Sequence, residues 1–210
     1  MTDLGEDPMP RIVALPAPRL KGEMSLEEAV SRRRSRRGFK PSPLTLEQVS
    51  QVLWAAQGIT SPEGHRAAPS AGALYALDLY VAVGGREAGG LAAGVYHYDP
   101  QGHALERTLN GDLRPTLARL AVGQTFVAEA PLALVITAHY ERISQKYGDR
   151  AARYVHMEVG HAAQNVCLEA EALGLGTVVV GSFQDEAISQ ALSLPAQHRP
   201  LYIMPVGHPA

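Results

Sequence analysis

The most concentrated chemistry in this chain is a run of guanidinium groups, Arg32-Arg33-Arg34-Ser35-Arg36-Arg37, followed by Gly38-Phe39. Just upstream, Ser25-Leu26-Glu27-Glu28 has the form of a capping box, serine at the N-cap and glutamate at N3. It predicts a helix running to about Arg34. If the helix continues, Leu26, Val30, Arg33 and Arg37 follow at spacings of 4, 3 and 4 and share one face. Two cations then extend an apolar face. Burying unpaired charge is costly, so an anion should meet them. Guanidinium forks bond phosphate bidentately, and Ser35 adds a hydroxyl donor. A solvated basic face, or a nucleic-acid patch, is the competing reading. A nucleic-acid module needs more basic surface and stacking aromatics, and aromatics are 6% of the chain.

A second segment, Ala68-Pro69-Ser70-Ala71-Gly72-Ala73-Leu74-Tyr75, joins a stiffening proline to residues small enough for a flat ligand to approach the backbone. An ordinary turn before a strand is the plain alternative. Gly174-x-Gly176 leads into Thr177-Val178-Val179-Val180-Gly181-Ser182 in the order helix, turn, strand, the reverse of a dinucleotide-binding fingerprint. His156 and His161 are five apart and point about 140° from each other on a helix. They lack the four-residue spacing of a zinc helix, so no metal site is expected. Cys167 sits among Val166, Leu168 and Ala170 as a small core residue. No Gly-x-Ser-x-Gly elbow is present.

These residues need a scaffold, and the chain has the size for one compact domain or one subunit of a dimer: 210 residues, 46% hydrophobic and 19% charged. A net charge of −2 offers no general attraction to nucleic acid or anionic membrane, so phosphate binding must be local. A single cysteine suits a reducing cytoplasm. Residues 1–23, with Pro8, Pro10, Pro16 and Pro18, read as an extended arm, without the apolar core of a signal peptide. No apolar run approaches the roughly 20 residues of a membrane helix. The remainder, 24–210, is expected to be one domain.

Thr45-Leu46-Glu47-Gln48 is a second capping box, opening a helix with Leu46, Val49, Leu53 and Ala56 on one stripe and Gly58 as its stop. Leu77–Val83 alternates poorly but is rich in β-formers, a buried strand. After a turn containing Gly84, Gly85, Gly89 and Gly90, Gly94–Tyr98 is its hairpin partner. Asp112–Val122 is a short helix, and Leu132–Ala138 an apolar strand. Arg150–Leu173 is the longest helix, ended by Gly174; Gly176–Val180 and Leu201–Val206 are further strands. The stripe of Val155, Val159, Ala162, Val166, Ala170 and Leu173 on the longest helix is more apolar surface than one short sheet covers, which points to a dimer, with a monomer core as the competing explanation. Without a strict βαβ rhythm, the class is α+β.

Taken together, the segments resemble the nitroreductase-like FMN flavoproteins, in particular the SagB-type dehydrogenase branch. The resemblance covers roughly Ser25 to Pro209. It rests on Arg33-Arg34-Ser35-Arg36-Arg37-Gly38-Phe39, Pro69-Ser70-Ala71-Gly72-Ala73-Leu74-Tyr75, Gly123-Gln124, Lys146-Tyr147-Gly148-Asp149-Arg150-Ala151 with Arg153-Tyr154, Gly160-His161-Ala162-Ala163-Gln164-Asn165, Gly181-Ser182-Phe183 and Pro205-Val206-Gly207. It implies a mostly antiparallel sheet flanked by helices and an intertwined homodimer with two FMN sites at its interface. Arg33, Arg34, Ser35 and Arg37 would then hold the phosphate and ribityl chain. Pro69, Ser70, Ala71, Gly72 and Leu74 would approach from the partner subunit. Gln124 would bond the pyrimidine edge, and backbone around Val180, Gly181 and Ser182 would reach the N5 side. The flavin carries the hydride and leaves one face for donor and acceptor in turn. The implied reaction is NADH- or NADPH-driven reduction of nitro or quinone compounds, or oxidation of azoline heterocycles. In azoline-oxidising members a lysine–tyrosine pair abstracts the proton; Lys146-Tyr147 matches it, and a solvated Lys146 beside a packed Tyr147 is the structural alternative. Where many members carry a basic tail residue beyond Pro-Val-Gly, this sequence has His208.

Overall fold

The computed structural model describes residues 12–85 and 88–210. Its elements, in order, are β1 (Ile12–Ala14), α1 (Leu26–Arg32), α2 (Leu46–Gln57), β2 (Leu77–Val83), β3 (Gly94–Asp99), β4 (Ala104–Asn110), α3 (Arg114–Leu120), α4 (Phe126–Glu129), β5 (Leu132–His139), α5 (Glu141–Tyr147), α6 (Ala151–Ala172), β6 (Gly176–Thr177), α7 (Asp185–Ala191) and β7 (His198–Gly207). Among the described residues one sheet runs β1-β4-β3-β2-β5-β7-β6, every neighbouring pair antiparallel. The fold is α+β. Of the expected N-terminal arm, Ile12–Ala14 forms an edge strand on β4, where proline-rich flanks are tolerated; residues 1–11 lie outside the described residues.

The weak alternation of β2 has a direct cause: the strand is buried on both faces. Leu77, Leu79, Val81 and Val83 face a core shared with α2 and α6, while Tyr80 and Ala82 face a second core shared with α3, α4 and α7. Asp78 lies on that second side by the same period of two.

Thr45 and Gln48 complete their capping box, at 3.2 and 2.9 Å. At α1, Ser25 accepts from the Glu28 amide at 3.1 Å, but the Glu28 carboxylate pairs with Arg32. Gly58 ends α2 for a steric reason, since a Cβ there would lie 2.2 Å from the Trp54 ring. Helix α6 ends in a Schellman motif, with Gly174 at φ 70° and the amides of Gly174 and Leu175 reaching back to Glu171 and Ala170.

Three expectations change. Helix α1 stops at Arg32, and Arg33 turns to φ −46°, ψ 123°, so Arg33 and Arg37 do not share a helical face with Leu26 and Val30. The Gly176–Val180 strand is two residues of β6 and then a single bridge from Val180 to Ile203. The α6 stripe of Val155, Val159, Ala162, Val166 and Ala170 is covered by the chain's own core. Its burial therefore supplies no reason for a second subunit. The exposed large apolar residues lie elsewhere: Leu26 (64%) and Val30 (56%) on α1, Met157 on α6, and Ile12, Leu20 and Val122 at separate places. The short elements β4, α4, α5 and α7 are additions to those expected from periodicity and capping.

Candidate functional site

Past Arg32 the chain is extended and is stitched to the end of the sheet. Ser35 bridges Thr177, the Arg36 amide donates to the Thr177 carbonyl at 2.9 Å, and Phe39 bridges Pro209. The Arg36 stem lies against Gly176, where a Cβ would be 2.8 Å from the Arg36 Cβ. Strand alternation then places Arg33, Ser35 and Arg37 on the side opposite Arg36. The grouping expected from a helical period arises from an extended one. Arg34 folds back on its own backbone, donating to the Ser31 and Arg33 carbonyls. Arg33 and Arg37 have no ion pair among the described residues, and Ser35 and Arg37 are exposed. Two unneutralised guanidiniums beside a hydroxyl form a donor set for a dianion.

From Thr177 the chain continues to Ser182, a reach of at most about 18 Å. At its far end Gln124 donates to the Ser182 carbonyl at 3.4 Å and to Ala121 at 2.8 Å. Both amide hydrogens are thus engaged, and the Gln124 carbonyl oxygen is left for a ligand N–H. Val180 exchanges both backbone bonds with Ile203, each at 2.9 Å. Its backbone is fully used in pairing; Gly181 and Ser182 are exposed. The arginine segment and Gln124 therefore flank one ribbon, 177–182.

The Pro69–Tyr75 loop sits apart, over the N-terminal half of α6 and against α5. Ala71–Ala73 forms a single 3-10 turn in which Gly72, Ala73 and, just beyond, Tyr75 have φ of 63°, 53° and 51°. A Cβ on Gly72 would lie 2.8 Å from the Tyr147 hydroxyl and 3.0 Å from Lys146 Nζ. The loop motif and the lysine–tyrosine motif thus converge on bare glycine backbone. Tyr147 is braced edge-on by Tyr154 at 5.1 Å, and Lys146 Nζ lies 5.5 Å from the Tyr147 ring centre. Leu74 packs on the core, whereas Pro69 and Gly72 are exposed. The Ser70 hydroxyl donates to Glu158 at 2.6 Å and accepts from the Tyr75 amide at 2.9 Å, so it is occupied within the loop.

Two carboxylates that the sequence reading passed over hold this loop. Glu158 on α6 is 2% exposed, and burial pushes its carboxyl above the ordinary range. It lies beside a cavity of about 180 Å³ lined by Pro69, Ala71, Tyr154, Met157 and His161. Asp78 on β2 meets Arg142 at 2.8 Å, His97 at 3.3 Å and His198 at 3.5 Å, and Arg142 also donates to the Tyr75 carbonyl at 3.2 Å. Burial alone would raise Asp78, but the His97 bond, Arg142 and His198 hold it below the ordinary value. A signal for both existed. Each is a charged residue in otherwise apolar surroundings, Glu158 on the helical stripe between Val155 and Ala162 and Asp78 in the buried strand run Leu77–Val83.

The remaining candidates are structural. Burial raises the Cys167 thiol, which belongs to the α2–α6 core, and His156 meets the Tyr140 hydroxyl at 2.8 Å. Cys167 feels the charge of Arg33, whereas Ser70 meets Glu158, about 13 Å earlier along α6. Within the chain the arginine segment and the Pro69 loop therefore occupy different stations on the same helix.

The antiparallel α+β sheet flanked by helices, with an arginine segment whose Arg33 and Arg37 have no ion pair among the described residues and a small-residue loop at a separate station, is a scaffold of the nitroreductase type. Residues 30–208 match the model of the Nitroreductase family, and the chain belongs to that family. It is 49% identical over 185 residues, 88% of this chain and 91% of the other, to a Methanocaldococcus jannaschii protein assigned as a nitroreductase. A solved Ralstonia eutropha structure, assigned likewise, superposes with a TM-score of 0.84 at 33% identity, covering 96% of this chain and 90% of that one. The microcin B17-processing protein McbC of Escherichia coli is 28% identical over 72% of this chain and 57% of its own length. The NADPH-flavin oxidoreductase of Vibrio harveyi is 31% identical over 50% of this chain and 48% of its own.

Proposed function

We propose that this oxidoreductase is a homodimeric, cytoplasmic FMN enzyme that takes reducing equivalents from NADH or NADPH and passes them to nitro- or quinone-type organic acceptors. The observation that carries the reading is the pairing of unneutralised Arg33 and Arg37 with Ser35 at one end of the 177–182 ribbon and Gln124 at the other. That arrangement suits a ligand with a dianionic tail and a flat head bearing an N–H edge. Arg33, Ser35 and Arg37 would hold the phosphate, with Arg34 shaping their backbone, and Gln124, Gly181 and Ser182 would border the ring. When bound, the flavin supplies two-electron hydride chemistry at neutral pH. The protein's part is to fix that group, neutralise its charge and keep one face clear. Pro69–Leu74 has no station near the arginines in one chain, so the second subunit's copy would close the site. Exposed Leu26 and Val30 on α1 and Met157 on α6 are the surface such a partner would cover. The nicotinamide donor is supported by the flavin oxidoreductase of Vibrio harveyi.

One contact favours a second reading, oxidation of an azoline or related heterocycle. Lys146 Nζ and Tyr147 Oη converge on Gly72, where an amine and a phenol could remove a proton as hydride leaves the substrate. McbC, the microcin-processing relative, lends it weight. The two readings separate in one experiment. Denatured protein should release FMN, and stopped-flow mixing with NADH or NADPH should bleach the bound flavin at rates that Lys146→Ala changes only a few-fold. Release of FAD or of no flavin would sink the cofactor assignment. Bleaching by a thiazoline peptide but by neither nicotinamide would establish the dehydrogenase, with Lys146 as base.

A further inference from the structure

The Ser70–Tyr75 segment is held in an unfavourable shape. Gly72, Ala73 and Tyr75 are all left-handed, and two of them carry a side chain. Such a loop persists only where its surroundings over-determine it. On one side the contacts lead to Glu158. The Ser70 hydroxyl spans the turn, donating to Glu158 Oε2 and accepting from the Tyr75 amide. The amides of Ala76 and Leu77 face the same carboxylate, and the charge of Arg66 favours its ionised form. Glu158 Oε1 nevertheless completes no hydrogen bond among the described residues. Helix packing does not call for a carboxylate here, since the neighbouring stripe is Val155, Val159 and Ala162 and a buried charge with one full partner is costly. The cost is matched by a local gain: the loop acquires an acceptor for Ser70, and Ser70 an acceptor oxygen for Tyr75.

We infer that Glu158 is a positioning residue which, acting through Ser70, fixes the backbone of Ser70–Tyr75 so that Gly72 presents bare backbone to Lys146 and Tyr147 and the loop's small residues stay open to the bound cofactor. The inference rests on the proposed assignment of Pro69–Leu74 to the FMN site. It makes Ser70 a relay within the loop instead of a direct ligand.

Four variants test it: Glu158→Ala, Glu158→Gln, Ser70→Ala and the Ser70→Ala/Glu158→Ala double. Two readouts apply to each, amide hydrogen exchange over residues 70–77 before FMN is added, and the FMN Kd from quenching of flavin fluorescence. Glu158→Ala and Ser70→Ala should each speed exchange in that segment and weaken FMN about tenfold, the scale of one charge-assisted hydrogen bond. The double variant should be no worse than about threefold beyond either single one, because both remove the same relay. Glu158→Gln keeps an acceptor oxygen for Ser70 and should restore affinity to within about threefold of wild type. Losses that multiply in the double variant would overturn the inference. So would a Glu158→Ala protein with a lowered thermal midpoint but unchanged loop exchange and FMN affinity. Wild-type protein that binds no FMN would instead overturn the cofactor assignment, while the exchange data would still decide whether Glu158 holds the loop.

Discussion

Asp78 and Glu158 grip opposite ends of one loop by opposite electrostatic means. Asp78 is surrounded by groups that carry or can carry positive charge, and through Arg142 it reaches the Tyr75 carbonyl. Glu158 has the Ser70 hydroxyl on Oε2, the Ala76 and Leu77 amides facing it and Arg66 as its one charge. Its Oε1, like Asp78 Oδ2, completes no hydrogen bond among the described residues, but Asp78 Oδ2 lies 2.8 Å from the Arg142 guanidinium. The first carboxyl is held below its ordinary value, the second is pushed above it by burial. A carboxylate with charge partners stabilises the fold in its ionised form. One whose burial outweighs its partners is retained at a cost, which the proposed positional role would account for.

The contrast can be broken most forcefully at Asp78. Asp78→Ala strands Arg142 and removes the charge partner of His97 and His198. Breaking a buried ion pair costs about 3–5 kcal/mol, and with the Arg142 side chain 33% exposed we expect about 2–3 kcal/mol by urea unfolding. Glu158→Ala should cost clearly less at neutral pH, and the reverse order would collapse the comparison.

Gly72→Ala probes the loop between the two anchors. Its φ of 63° disfavours any Cβ, and the added methyl meets the Tyr147 hydroxyl and Lys146 Nζ. Those are the ends of flexible side chains and can yield, so the cost is chiefly backbone strain, about 1 kcal/mol in thermal unfolding. Lys146 and Tyr147 must move, yet under the reductase reading flavin reduction by NADH or NADPH should change only a few-fold, as for Lys146→Ala. A loss of about a hundredfold or more would show that the pair takes part in the chemistry.

The smallest effect is a difference of sign with pH. Asp78 has a depressed folded value, so its contribution is present above the ordinary 3.8 and is lost as pH falls through the folded value. Glu158 has a raised folded value, so its contribution is present below 4.5 and is lost as pH rises through the folded value. Glu158→Gln should therefore gain on wild type as pH rises from 4.5, while Asp78→Asn stays below wild type at neutrality and closes on it as pH falls from 3.8. Thermal midpoints across that range, running parallel for the two variants, would show that the carboxyls are in equivalent settings.

What the amino-acid order determined by itself is local. The Thr45 box, the strand at Leu77–Val83, the long helix and its glycine stop follow from capping chemistry, β-branching and periodicity, all legible over a dozen residues. The arginine run suggests anion chemistry beside the plainer reading of a solvated basic face, and the period that aligns Arg33, Ser35 and Arg37 is that of a strand. Only the tertiary structure decided where that segment ends up, because Ser35 pairs with Thr177 and that partner lies 142 positions away. It alone decided that Gly72 faces Lys146 and Tyr147, and that Ser70 is consumed by Glu158. The reason is physical. A hydrogen bond between residues 88 positions apart leaves no periodic trace in sequence; it shows only as a charge placed where an apolar residue would have served.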